Sequence, residues 1–555
     1  MNKLRTFALS HTRWIVALLL LWVAAAGFYM SWHDSMTTDE GVHLASGYTA
    51  LTRRDFRFDP EHPFLFKMLS AAPIVLLHPN PPARDQELWN HSEPTLYDSW
   101  EEARTWSELW FYQSGNNASL MIFVARIPAV LVTIFLCWFT YFLGRKWFSE
   151  EVGLLWLFFT AFNPTILGHG HLTNTDVPVA LGFLVCTYTL WKYGENMTWQ
   201  NAVYFALTAI TALLTKYSSV AIVPIALIYL IWLGRKNRGN GAKITSHAFL
   251  MIVVGWVCLW AGYLFHSVYH PGVTQEFLEA EKLNSHLSIL TNLGHFWRVL
   301  SHIVPIDYVK GLLLVTSSTA LGRSTYLLGH FYGSGVWYYF PAMWLFKTQI
   351  AGIVLTLLGT YLLLRKRPKI TNKEMVLLLT FGVFGFLALV NRLNIGIRHI
   401  IVLFPFTSLL MTYGIIWLQK RWKPALAVAL ILYALPVLIE FPYLLSFGSE
   451  LVQPYSRSYF YFDDSNLDWG QQAKDAAYVA KEKLHTNVVY VNYMWSPYSL
   501  NYYGLETHMF DAKNPPKNVV IMVTATRLPD NDYALFRNEK PIANIGNDTY
   551  FYMLH

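Results

Sequence analysis

Long apolar runs closed by short basic clusters constrain this chain more than any other feature. The run from Trp14 to Tyr29 is long enough, with its flanks, to cross a bilayer, and further runs follow as far as Ile439. Between them stand Arg145-Lys146, Arg235-Lys236-Asn237-Arg238, Arg365-Lys366-Arg367 and Lys420-Arg421-Trp422-Lys423. Backbone polar groups in lipid must find partners within their own segment, so runs of this kind become helices. With 54% hydrophobic and only 14% charged residues, the chain reads as a polytopic α-helical membrane protein of about eleven spans. Lys3, Arg5 and Arg13 precede the first run, which predicts a cytoplasmic N-terminus, and every later basic cluster then falls on the same side. The first run is read as an anchor, because no small-residue cleavage pattern follows it. The formal charge of +7 sits in these clusters rather than on one continuous surface, which argues against a nucleic-acid partner. Cys137, Cys186 and Cys258 all lie in apolar runs, so no disulfide framework is expected.

This topology divides the chain in two. Residues 1–441 form a membrane domain with two long outer segments, 34–123 and 266–339, and residues 442–555 form an outer α/β domain. The first outer segment holds apolar stretches near Gly41 to Leu51 and Phe64 to Leu77, too short to span and suited to lying in the interface. The tail opens with D-W-G-Q-Q-A-K-D-A-A-Y-V-A-K-E-K, which predicts a helix, and continues with N-V-V-Y-V-N-Y and N-V-V-I-M-V-T, which predict strands.

Ionisable residues collect on the predicted outer face. They are Asp39, Glu40, Glu61, His62, His169, His171, Asp176, Arg398 and His399, with Lys216 at the outer connection between two runs. Carboxylates and imidazoles supply oxygen and nitrogen ligands for a divalent cation, and a guanidinium suits a phosphate. A cation and an arginine on a phosphate leaving group, with a carboxylate as base, make a workable displacement site. Taken singly, the same residues also fit plainer roles: Asp39, Glu40 and Asp176 as helix-start acids, Lys216 and Arg398 as interfacial anchors.

The passages D-E-G-V-H-L-A-S-G-Y, D-P-E-H-P-F-L-F-K, T-N-T-D-V-P, G-V-W-Y-Y-F-P-A-M-W-L-F-K-T and D-S-N-L-D-W-G-Q together resemble glycosyltransferase family 39, the polytopic group of protein O-mannosyltransferases and aminoarabinose transferases. The likeness runs in order along nearly the whole chain. It implies the C-type membrane glycosyltransferase fold (GT-C) and a donor whose sugar is carried on a polyprenyl phosphate. It also implies roles: Asp39 as the base or orienting acid that engages the acceptor, supported by Glu40; Glu61 and Asp176 as holders of a divalent cation, in whose place some relatives use basic residues alone; and Arg398, His399, His62 and Lys216 around the donor phosphate. His62 stands where relatives carry lysine. His169 and His171 are further candidates. Implied partners are a polyprenyl-phosphate sugar, a glycan, lipid or protein acceptor, and membrane lipids. The expected location is a bacterial inner membrane, with the tail in the periplasm. A transporter would instead place its charges at mid-membrane depth in related halves, and a non-catalytic assembly protein would have no need to keep Asp39, Glu40, Glu61 and Asp176 together.

Overall fold

The computed structural model describes residues 11–91, 96–266, 299–300, 302–492 and 497–555. It is predominantly helical. In chain order the helices that build the membrane part are α1 (Thr12–His33), α2 (Thr38–Arg53), α3 (Phe64–Val75), α4 (Asp85–His91), α5 (Leu96–Tyr112), α6 (Ala118–Trp147), α7 (Glu150–Ala161), α8 (Pro164–Gly170), α9 (Asp176–Glu195), α10 (Trp199–Leu213), α11 (Ile222–Lys236), α12 (Gly241–Gly262), α13 (Ile306–Leu321), α14 (Tyr339–Lys347), α15 (Ile350–Lys366), α16 (Asn372–Val390), α17 (Phe404–Gln419) and α18 (Ala425–Glu440). Leu18, Phe249, Ile252 and Leu364 are among the large apolar side chains that point outward, as they must in a chain whose solvent is lipid.

The apolar runs become helices of uneven length. Among the described residues six are long and apolar enough to cross a membrane: α1, α6, Tyr217–Lys236, α12, α16 and Ile397–Gln419. The pair α7 and α8 makes a seventh if counted as one span, bent by 62°. The bend has a local cause. Asn163 accepts the amide of Ile166 at 3.0 Å and Pro164, which has no N–H to give, restarts the chain as a new helix. Other runs counted as spans form shorter helices, among them α10 with 15 residues and α18 with 16.

The first outer segment folds as α2 to α5, with α2 and α3 packed closely on each other. Gly47 makes that packing possible, because a Cβ there would stand 2.1 Å from the carbonyl oxygen of Lys67. In the second outer segment, 267–298 lies outside the described residues; α13 and a hairpin of β1 (Thr325–Leu327) and β2 (His330–Tyr332) follow.

The tail is a small mixed domain. Strands β3 (Val488–Val491), β4 (Glu506–Met509), β5 (Ile521–Thr524), β6 (Ala543–Ile545) and β7 (Thr549–Tyr552) form one sheet in the order β4-β3-β5-β7-β6. β3 runs parallel to β4 and β5, and β7 antiparallel to β5 and β6. Both strands predicted from sequence are present as β3 and β5. The predicted helix is only half right: it begins at Ala473 (α19, Ala473–Tyr478), and the preceding D-W-G-Q is a turn. Gly470 sits at φ 94°, and the Gln471 and Asp468 side chains accept the amides of Trp469 and Gly470, so local bonds displace the helix. The tail touches the membrane part at a β-bridge from Leu327 to Phe462 and at the ring pair Tyr112–Tyr502.

Candidate active site

The site is assembled from helix ends. The sequence T-T-D-E starts α2, and Glu40, at the third helical position, turns back to accept the Thr37 amide at 2.9 Å. Asp39 precedes it by about 100° of helical turn and faces another direction. There its Oδ2 accepts Nη1 of Arg398 at 2.9 Å, from a 3₁₀ segment (Ile397–Leu403) more than 350 residues away. The pair is partly open, with 23% of the Asp39 side chain and 10% of the Arg398 side chain exposed. The Arg398 guanidinium lies 4.1 Å from the centre of the Trp469 ring.

Glu40 does not stand beside Asp39 as a second open acid. It is buried, and its two oxygens accept Nε and Nη2 of Arg126 at 2.9 and 2.7 Å, the Thr173 amide at 2.8 Å and the Thr173 hydroxyl at 3.2 Å. Burial alone would raise its pKa, but the charge and hydrogen bonds of Arg126, with the Thr173 and Thr37 amides, outweigh it and hold the carboxyl below its ordinary range. Arg126 also donates to the carbonyls of Ser31, Asp34 and Ser35, the end of α1 and its link to α2. His171 joins this network rather than the open site, with Nε2 2.9 Å from Asp34 Oδ2.

The remaining candidates gather round Asp39 and Arg398. Asp176, at the start of α9, pairs with the Lys216 ammonium, from the connection after α10. Electrostatic neighbours tie the group together: His399 feels Lys216, Arg398, Asp176 and Arg323, and His62 feels Lys216, His43, Lys67 and Arg398. Burial, and then the Lys216 charge, hold the His62 imidazole well below its usual pKa, so it is neutral. His62 Nδ1, His169 Nδ1, His399 Nε2 and Arg398 Nε are buried polar atoms without a hydrogen-bond partner. Each therefore has hydrogen-bonding capacity left for a polar ligand.

Glu61 stands apart from this group, its Oε1 3.8 Å from Nη2 of Arg323, two residues before the hairpin. Burial, then the charge of Asp59, push its pKa up to about 7 against the opposing charge of Arg323. A carboxyl that binds its proton more tightly when folded adds stability below its ordinary pKa of 4.5, and loses it as pH rises towards 7. Wild-type melting temperature is therefore expected to fall relative to Glu61→Gln across that window and to run parallel above it. Parallel curves throughout, measured in one detergent at constant ionic strength, would contradict the shift.

Glu61 and Asp176, expected to hold a divalent cation, do not make a ligand set. Among the described residues no group of three or more His, Cys, Asp or Glu side chains is placed to bind a metal ion. The physical reason is visible in the partners. Asp176 is neutralised by Lys216, Glu61 faces Arg323, and Asp39 faces Arg398, so each acid is matched by an organic cation of the protein.

Several residues of this site carry no obvious mark in the sequence. Arg126 lies inside an apolar run and reads as its boundary, although a lone arginine nine residues into a 30-residue helix is a signal in itself. Asp59 and Lys67 form a buried pair at 2.6 Å inside the D-P-E-H-P-F-L-F-K passage, and His43 Nε2 lies 3.7 Å from the same Asp59. Trp469 reads from sequence as part of a tail helix.

Residues 116–260, from α6 through α12, match the family model described as dolichyl-phosphate-mannose-protein mannosyltransferase. No curated protein matches the chain in sequence. Among solved structures, the archaeal oligosaccharyltransferase AglB from Archaeoglobus fulgidus, in complex with an inhibitory peptide and a dolichol-phosphate, is 12% identical with a TM-score of 0.44, over 97% of this chain and 74% of that one. ArnT from Cupriavidus metallidurans bound to undecaprenyl phosphate is 12% identical with a TM-score of 0.33, over 97% of this chain and 98% of that one. The S. cerevisiae protein O-mannosyltransferase Pmt1-Pmt2 complex bound to the sugar donor is 17% identical with a TM-score of 0.33, over 47% of this chain and 35% of that one.

Proposed function

We propose that this protein is a membrane glycosyltransferase that moves a sugar from a polyprenyl-phosphate donor to an acceptor hydroxyl. One observation carries the reading: a partly open carboxylate, Asp39, stands 2.9 Å from a guanidinium, Arg398, with the Lys216 ammonium close enough to share their electrostatic field at His399 and Asp176. In this reading the pair supplies a base and a phosphate clamp side by side. The family match over residues 116–260 supports the same class.

In this reading the acceptor hydroxyl attacks the anomeric carbon as the lipid phosphate departs, in one step and with inversion. Asp39 takes the hydroxyl proton. Arg398 and Lys216 stabilise the charge that collects on the leaving phosphate, and the His62 and His399 imidazoles offer hydrogen bonds to its oxygens. Asp176 orients Lys216, and Glu40 and Arg126 fix the start of α2. No step is routed through a metal, because the acids implied as ligands are held by lysine and arginine. The site faces the side of the membrane opposite the basic clusters, the periplasmic face of a bacterial inner membrane, and residues 442–555 cap it.

The test is release of polyprenyl phosphate from a panel of polyprenyl-phosphate hexoses and pentoses by detergent-purified protein, with and without chelator. The expected result is turnover of at least one donor, unchanged within about twofold by chelator and lowered about 10²–10³-fold by Asp176→Asn, which leaves the Lys216 charge without its orienting partner. No release from any donor by folded protein would overturn the assignment. Loss of activity with chelator, restored by a divalent cation, would overturn the metal-free clamp alone.

A further inference from the structure

The D-S-N-L-D-W-G-Q passage, residues 464–471, belongs to the tail in sequence but to the site in space. Trp469 is 3% exposed, and it touches three parts of the site at once. One ring face carries the Arg398 guanidinium at 4.1 Å. The His169 ring stands against the indole with centroids 6.1 Å apart at 66°. The Trp469 carbonyl accepts the Thr38 amide at 3.0 Å, one residue before Asp39.

The rest of the passage makes this contact rigid. The Gln471 side chain accepts the Trp469 amide at 2.7 Å and donates to Asp548 at 2.6 Å, while its carbonyl accepts the Ser35 amide at 2.8 Å. Asn466, fully buried, accepts the amide of Ile397, the neighbour of Arg398, at 2.9 Å and donates to the Tyr339 hydroxyl at 3.1 Å. The buried ammonium of Lys347 donates to the carbonyls of Asn466 and of Leu445, the latter at 3.0 Å. Both members of the Asp39–Arg398 pair are thus held, from either side, by one turn whose other bonds lead into the sheet domain.

We infer that this turn is the positioning element of the site, with Trp469 setting the distance and direction of Arg398 relative to Asp39. An arginine on a flexible stem reaches a phosphate with a fixed geometry only if something holds its plane, and a stacked indole does that without competing for its N–H groups. The inference rests on the glycosyltransferase reading for its consequence in turnover, but not for its geometry. Trp469 acts through Arg398, so it is a positioning residue.

The test compares Trp469→Ala and Trp469→Phe in the full-length protein, with two readouts. First, the rate at which phenylglyoxal modifies Arg398, followed by peptide mass spectrometry, needs no substrate. Trp469→Ala is expected to raise it severalfold, with Arg84, exposed and distant, unchanged, and Trp469→Phe to bring it back towards wild type. Second, with a donor that the wild type turns over, Trp469→Ala is expected to raise the donor KM about tenfold as well as to lower kcat, and Trp469→Phe to recover most of the KM. A protein that is merely less well folded loses kcat and keeps its KM. Unchanged Arg398 reactivity together with unchanged donor KM, in a Trp469→Ala variant that melts as the wild type does, would overturn the inference. A wild type that releases no polyprenyl phosphate would sink the proposed function instead, and Arg398 reactivity would still decide the role of the turn.

Discussion

Asp39→Asn is expected to lower turnover of the lipid-linked sugar by about 10²–10⁴-fold, the usual contribution of a positioned general base. The substitution keeps the shape of the side chain and keeps an oxygen that can accept Nη1 of Arg398, now at 2.9 Å. It removes the capacity to take a proton from the acceptor. Stability is expected to fall by about 1–3 kcal/mol, because the Arg398 side chain, only 10% exposed, keeps a hydrogen bond but loses its paired charge. Donor binding should survive or tighten, since Arg398 loses a competing carboxylate and keeps its own charge. The measurement is kcat and donor KM in the same preparation, with melting as the fold control. Turnover within tenfold of wild type would remove Asp39 from the role of base and leave Glu61 to be tested next.

The contrast with Glu40 shows how far the sequence could be read. Two adjacent acids after an apolar run announce a functional segment, and the capping pattern T-T-D-E is legible as a helix start. Their division of labour is not. Residues one apart on a helix point about 100° away from each other, so the two meet different surroundings: Glu40 is buried against Arg126 and Asp39 is partly open beside Arg398. Which is which depends on Arg126, and nothing in the local sequence ties residue 126 to residue 40. The same limit applies to Trp469. Its turn is made by Gly470 and by side-chain bonds from Asp468 and Gln471, short-range features that a helical reading of D-W-G-Q-Q-A-K overrode. Apolar periodicity carried the membrane class and the two tail strands because those are collective properties of many residues. Whether acids form a ligand set is likewise not legible, because it depends on which of them already have partners. Asp176 finds Lys216 across 40 positions of sequence.

Arg126→Met is expected to cost about 3–5 kcal/mol of stability, the range for removing one partner of a buried ion pair. Both side chains are within 1% of complete burial, so the Glu40 carboxylate left behind has no water to replace the guanidinium. Three carbonyls lose their donor as well: Ser31 in the last turn of α1, and Asp34 and Ser35 just past it. Carbonyls at a helix C-terminus have no partner within the helix and sit at the negative end of its dipole, so a cation there works in two ways. Adding Glu40→Leu to Arg126→Met takes away the orphaned charge and should restore part of the loss, but not all of it, because the α1 carbonyls and the Thr37 amide still lack partners. Thermal melting of the single variants and the double variant in one detergent gives the coupling directly. Additive losses in the double variant would mean that Glu40 and Arg126 act independently, and the account of how the start of α2, and with it Asp39, is held in place would have to be abandoned.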